Sequence, residues 1–422
     1  MVAPSGRAAL PFLLVGLLGC GKEGTAGGGG PVTRDSAGIA IVASDAPAWA
    51  EGKGWTIAEA PTTDIVGGGT PETDLSQING AVRLADGRVV VSSGLSNAVR
   101  FYDPQGKLTA SVGRPGAGPG EFQGIAGLWR TSGDSVIASD MMLQRLSVIS
   151  PGAEFARAFS LGGQGGLSAP TGGQFGLAVP MGRLADGAVL GLRMSFRLQA
   201  GDGGTYRDTV ALVRYAPDGT TRDTVGVFPG LEMTQVPMTF NGQTVSTPSP
   251  VPLGKQTVIG VGEDRLFVAQ NNAWEVEVRS PAGTIERLIR LAVPEAPITE
   301  ADVATHKQEQ IELMEAAPQM RSIPEQFKKQ FLDRVNNAKY PSTLPWISTL
   351  LPVSDGTLWV EETSKPGATQ RRYAVFDREG TFLGRVLAPA GLRVTAAYPD
   401  AVLGIWKDAD DVEHVRLHAI AK

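Results

Sequence analysis

The sequence predicts an all-β protein, and three observations carry that prediction. Gly and Pro are abundant, 54 and 29 of 422 residues, as many short strands joined by tight turns require. Asp-Gly and Pro-x-Gly turns recur and separate runs rich in Val, Leu, Phe and Tyr. Where no insertion intervenes, the same order of turns and runs restarts after roughly 45–50 residues, the period of a four-stranded propeller blade.

The first element is not a strand. Arg7 precedes an apolar run of twelve residues, Ala8 to Gly19. Spanning a bilayer needs about 20 residues, so the run suits the hydrophobic region of a secretory signal. It ends in Leu17-Leu18-Gly19-Cys20, and Cys20 is the single cysteine. This end resembles the lipobox of bacterial lipoproteins, in which the cysteine is lipidated and becomes the first mature residue. A chain without a second thiol forms no internal disulfide, so folding rests on packing. Residues 1–19 are assigned to the signal peptide and 20–34 to a Gly-rich tether. Its Gly-rich part, Gly21 to Pro31, is a flexible linker of about eleven residues that reaches roughly 15–20 Å, which keeps the body, 35–422, near a membrane.

Five units follow. Residues 84–113 run from Asp86-Gly87 through two strands to a Pro104-Gln105-Gly106 turn and a third strand. Residues 131–162 repeat that order with Gly133-Asp134 and Ser150-Pro151-Gly152, and residues 261–291 with Glu263-Asp264 and Pro281-Ala282-Gly283. Residues 184–194 with 209–228, and 353–362 with 371–387, are further copies with longer middles. A sixth unit is expected from both ends, with 398–421 joined by the N-terminal 38–44 and 55–60. The predicted fold is therefore a six-bladed β-propeller of four-stranded blades. Ring closure by both termini removes the exposed sheet edge.

A helical hairpin interrupts blades 4 and 5, at about 298–338. Thr299 with Asp302 forms a capping box, and Val303, Ile311 and Met314 form a stripe. Pro318 ends the first helix. Ser322 and Pro324 open a second, with Phe327, Phe331 and Val335 on one face. The hairpin is expected over one mouth of the ring.

The segment Gly113 to Phe122, "GRPGAGPGEF", ties these units to a family. It is followed by a weak strand and then "GDSVIASD", and this arrangement resembles the NHL-type six-bladed propeller repeat. That family carries a G-x-x-G-x-G-P-G-x-F loop before a blade's inner strand, which Gly113, Gly116, Gly118, Pro119, Gly120 and Phe122 match. Its Asp followed five residues later by Arg is matched by Asp140 and Arg145. The first blade departs there with Ser93 and Ala98, and the fourth with Gln270 and Glu275. Degenerate loop copies stand at 66–75 and 161–175. Asp140 and Arg145 are expected to pair across a hairpin for structure.

The loop is not a phosphate cradle. No Lys-Ser or Lys-Thr follows it, Pro115 and Pro119 remove two N–H donors, and a strand rather than a helix comes next. His414 and His418 share a face of an expected edge strand, and His306 is expected in solvent. Asp408–Asp411 reads as a hairpin turn. The expected inner strands hold almost no carboxylate and no His, and Asn79 by itself is not a site. No catalytic residue, cofactor or metal ligand is assigned. Net charge is -5 and no basic block stands out, so nucleic acid is not an expected partner.

The expected function is that of a scaffold in the cell envelope, lipid-anchored at Cys20 and facing the periplasm or exterior. It would bind a protein or small molecule at a propeller face. Arg321, Tyr340 and Trp346, on or beside the helical insertion, are the candidate partner surface, because loops on rigid scaffolds carry binding. The alternative within this fold is a hydrolase or lactonase-like enzyme with its site at the central channel. Such lactonases hold a metal on the axis with Glu, Asn and Asp.

Overall fold

The computed structural model describes residues 30–422 except 71, 72, 74, 95, 163–167, 172, 173, 198–203, 241, 242 and 317–322. Six mostly antiparallel sheets form six blades. Blade 1 comprises Ile78–Arg83, Val89–Ser93, Ala98–Tyr102 and Leu108–Val112. Blade 2 comprises Ile125–Arg130, Val136–Asp140, Arg145–Ile149 and Phe155–Phe159. Blade 3 is built on Gln174–Arg183, Val189–Arg197, Thr205–Tyr215 and Thr221–Phe240, with Ser168–Thr171 and Gln243–Pro250 added at its edges. Blades 4 and 5 start at Val258–Val261 and Ile347–Pro352.

The apolar second strands explain how the ring is held. In blade 1, Val90 faces the blade 1–2 core with Phe101, Phe122 and Leu128. Its neighbours Val89 and Val91 face the blade 6–1 core with Leu403 and Val415. Both faces of such a strand are buried, so it reads as a continuous apolar run rather than an alternating one. Each Val moved from water to such a core contributes about 1.5–3 kcal/mol. The same division recurs around the ring, with a buried cluster straddling each of the six junctions.

The inner strands approach closely. A Cβ on Gly260 would lie 2.8 Å from Leu350 Cβ and 3.0 Å from its carbonyl oxygen, so only Gly lets blades 4 and 5 meet there. Polar clamps reinforce these contacts at the first residue of an inner strand. Asn271 bonds both the N–H and the carbonyl of Ile347, at 2.9 and 2.8 Å. The Glu413 carboxylate accepts from the Ile78 N–H at 2.8 Å. Asn79 donates to the Ile125 carbonyl at 2.6 Å, so it ties blade 1 to blade 2.

Ring closure joins both termini in blade 6, with Thr56–Ile57 from the expected 55–60 run, but differs from the expectation for 38–44. Blade 6 takes Arg393–Ala397, Ala401–Lys407 and Glu413–Ala421 from the C-terminal end, and its outer strand is Thr63–Val66, beside Thr56–Ile57. The N-terminal run expected there, Ile39–Ser44, instead pairs in parallel with Ile285–Leu291, the outer strand of blade 4. Val32–Ser36 then pairs with it as the sheet edge. Between these stations the chain runs along blade 5, where Ala48 and Trp49 donate to the carbonyls of Phe382 and Leu383. The N-terminal segment thus straps blades 4, 5 and 6 together. The parallel addition is available because the outer strand of a blade leaves a row of unpaired N–H and C=O groups.

Strand 4-to-1 connections and strand 2-to-3 turns emerge at one end of the ring, because successive strands of a blade alternate in direction. The helical insertion is one such connection. Its helices are α1, Glu300–Ala316, and α2, Glu325–Asn336. The capping box forms: Thr299 N–H donates to Asp302 at 2.8 Å, and Asp302 N–H donates to Thr299 Oγ1 at 3.2 Å. Pro318 and Ser322, expected to break and restart the helix, lie outside the described residues. The hairpin seats on the strand 2-to-3 turn of blade 5, through Lys365–Asp302 and the Gly367 N–H on Glu309. No α1 side chain is fully buried, and in α2 only Val335 is.

Candidate functional site: the cleft between blades 2 and 3

The site begins at the sharp turn that ends blade 2's second strand. Asp140 and Arg145 face each other in register across that hairpin, yet neither spends its charge on the other. The buried Asp140 carboxylate accepts four backbone N–H bonds: from Gln123 and Gly124 through Oδ2, and from Met142 and Leu143 through Oδ1. Arg145 donates to the carbonyls of Ala117, Gly118 and Glu121, at 3.0, 3.1 and 2.6 Å. The expected cross-hairpin pair is therefore a pair of staples. One holds the turn and the start of the inner strand; the other holds the Gly-rich loop.

Those staples fix the loop as a plug. Phe122 is 0% exposed and enters the blade 1–2 core. Gly113 has φ +102°, and a Cβ on it would lie 2.6 Å from the Phe122 ring. Within the loop, Glu121 accepts from the Gly118 N–H and from Arg114. The Gly118 N–H, with Arg114 beside it, holds the Glu121 carboxyl below its ordinary pKa.

On its other side the same turn walls an open space. A cleft of about 310 Å³ separates blade 2 from blade 3, above the apolar contacts of Ile137, Leu146, Val189 and Val213. In the second strand of blade 3, Val189, Gly191 and Arg193 alternate onto the face toward blade 2, while Leu190 joins the core toward blade 4. Arg193 faces Ala178 and Ala211 on the flanking strands. Small residues on the two strands that flank Arg193 leave room that bulkier ones would fill.

The cleft has polar and apolar walls. Ser139, Arg145, Arg193 and Tyr215 supply polar groups, and Met141, Leu146, Leu161 and Pro180 supply apolar surface. Arg193 is exposed. No motif in the sequence marks Ser139, Arg193 or Tyr215. The available signal was Arg193 itself, a charge on the inward face of an otherwise apolar alternation.

The residues expected to form a partner surface lie elsewhere. Tyr340 is half-buried and its hydroxyl pairs with His306 Nδ1 at 3.0 Å. His306, expected in solvent, is thus packed edge-on against that ring. Burial lowers the His306 pKa and raises that of Tyr340. Trp346 packs against the blade 4–5 core. Arg321 and Cys20 fall outside the described residues. The strand carrying His414 and His418 is not an edge, because Thr63–Val66 covers it and Asp64 pairs with His414 at 2.8 Å. Asp408–Asp411 forms the expected turn, with the Asp408 carboxylate accepting the Asp410 and Val412 N–H groups. Among the described residues, no three His, Cys, Asp or Glu side chains gather as a metal-holding group.

No family model and no curated protein sequence matches the chain. Similar solved structures are remote in sequence. A Bacteroides fragilis protein described as exported is 10% identical, with a TM-score of 0.47 over 90% of this chain and 99% of that one. A member of the DUF4221 family from Bacteroides vulgatus is 8% identical, with a TM-score of 0.48 over 87% and 99%. Virginiamycin B lyase from Staphylococcus aureus is 9% identical, with a TM-score of 0.37 over 87% and 100%. At such identities and TM-scores these likenesses carry no argument about this chain.

Proposed function

We propose that the chain is a lipid-anchored, extracytoplasmic binding module that takes a small ligand in the cleft between blades 2 and 3. The cleft carries this reading: it is a concave space with apolar walls and a few convergent polar groups, set between rigid sheets. The anchor is read from Leu17-Leu18-Gly19-Cys20 behind an apolar run too short to span a bilayer. Stable anchoring takes more than one acyl chain, at about 0.8 kcal/mol per buried CH₂, and lipoprotein-type lipidation of Cys20 would supply several. Val32–Ser36 runs antiparallel to Ile39–Ser44, which itself parallels the outer strand of blade 4. Val32 therefore starts at the end of the ring that also bears the cleft, so a tether from Cys20 would hold that end toward the membrane.

Two measurements test this. In the native host, Cys20→Ala should abolish lipid labelling and release the protein from the membrane; unchanged partitioning into detergent overturns the anchor. A small-molecule screen followed by hydrogen exchange should show ligand protection at 139–146, 161–162 and 178–193. Protection confined to any other region overturns the cleft as the site.

A further inference from the structure

We infer that the cleft selects a small organic oxyanion, specifically a carboxylate carried on an apolar body; this rests on the binding reading above. The charges set the sign. Two guanidinium groups, Arg145 and Arg193, meet one carboxylate, Asp140, in the lining. That carboxylate is held by four backbone N–H groups and keeps its charge, so one of the two positive charges is left in excess. The Arg145 guanidinium bonds only backbone carbonyls, which carry no formal charge to offset it. Arg193 makes no ion pair or hydrogen bond among the described residues, so its planar fork is free for a bidentate carboxylate.

Uncharged donors point the same way. Tyr215 is 2% exposed and Ser139 is 3% exposed, and both line the cleft. Among the described residues neither hydroxyl has a protein hydrogen-bond partner, so both are open to a ligand oxygen in place of solvent. All of these groups can donate, so they suit an acceptor-only ligand group, which an ionised carboxylate is. The opposite walls, Met141, Leu161 and Pro180, suit an apolar body. A volume of about 310 Å³ is at the small end for ligand pockets, which fits a compact molecule rather than a polymer.

Calorimetry on the mature chain in detergent provides the test. The probes are 4-phenylbutyrate, its neutral amide and inorganic phosphate. The acid should bind at least 10-fold tighter than the amide, and tighter than phosphate. Arg193→Met should weaken the acid at least 10-fold and leave the amide unchanged. Arg193→Lys should recover part of the loss, and Tyr215→Phe should weaken the acid a few-fold. Arg193 is exposed, and an unshifted melting midpoint for its variants certifies folding. Equal affinity for acid and amide, or an Arg193→Met variant that binds the acid normally, overturns the inference. Phosphate binding as tightly as the acid overturns the apolar-body requirement. Amide binding with protection at 139–146 and no acid preference sinks the oxyanion and leaves the binding reading standing. No binding of the acid also sinks the oxyanion, and the screen above then decides the binding reading separately.

Discussion

The junctions on the two sides of blade 2 are built on the same plan and end differently. Toward blade 1, the Gly-rich loop folds Phe122 into the core and the junction is shut. Toward blade 3, Ala178 and Ser139 are among the residues that line the junction, and a cleft remains. Asp140 and Arg145 serve both sides: they staple the plug and wall the cleft. The ring is thus shut at one junction and open at the next, with one turn supporting both.

The sharpest way to break this contrast is to remove the plug. Phe122→Ala should cost about 3–5 kcal/mol, because a fully buried ring leaves a cavity that rigid sheets refill poorly; urea unfolding reads it directly. A loss below about 1 kcal/mol would mean that the shut junction does not depend on the plug. Removing the staple should cost somewhat less. Asp140→Ala orphans four backbone donors and should destabilise by about 2–3 kcal/mol, since water and loop relaxation recover part of the loss. Gly113→Ala follows at about 1–2 kcal/mol, from a left-handed φ and a collision with Phe122. On the open side, Arg193→Met should stay within about 0.5 kcal/mol, as an exposed position without partners should. Comparable losses on the two sides would erase the distinction.

The blade 6 seam adds a third kind of closure, one that responds to pH. His418 is buried, with Nδ1–H donating to the Ala58 carbonyl at 2.8 Å and Nε2 unpartnered. Burial, aided by the charge of Arg416, lowers its pKa below 6.5 against the opposing pull of the Ala58 bond. The unfolded chain therefore takes up the proton first. Stability is full above about pH 6.5 and falls as the pH drops through that value, until the folded-state pKa is reached. Denaturation midpoints measured from about pH 8 down to about pH 5 should show this decline, and His418→Gln should flatten it. The Phe122 junction should keep its hydrogen-exchange protection over the same range.

Much of the fold was legible because its signals are local. Asp86-Gly87, the Asp408–Asp411 turn, the Thr299–Asp302 box and the Phe122 plug each lie within a few residues, and each forms as read. Val89-Val90-Val91 announced a strand buried on two faces by its composition. The roles of Asp140 and Arg145 were only half legible. Their spacing put them opposite each other, but their partners are backbone groups up to 28 residues away, which no spacing displays.

By itself, the sequence determined the blade, its repeat, its turns and the helical interruption, because turn chemistry and strand period are written into short windows. Only the tertiary structure decided where Ile39–Ser44 pairs and where the cleft opens. An apolar strand can add to any free blade edge, and the choice of blade 4 depends on burial along a path that also crosses blades 5 and 6. The cleft is a space left by small side chains on separate strands, and such a vacancy exists only once those strands are side by side.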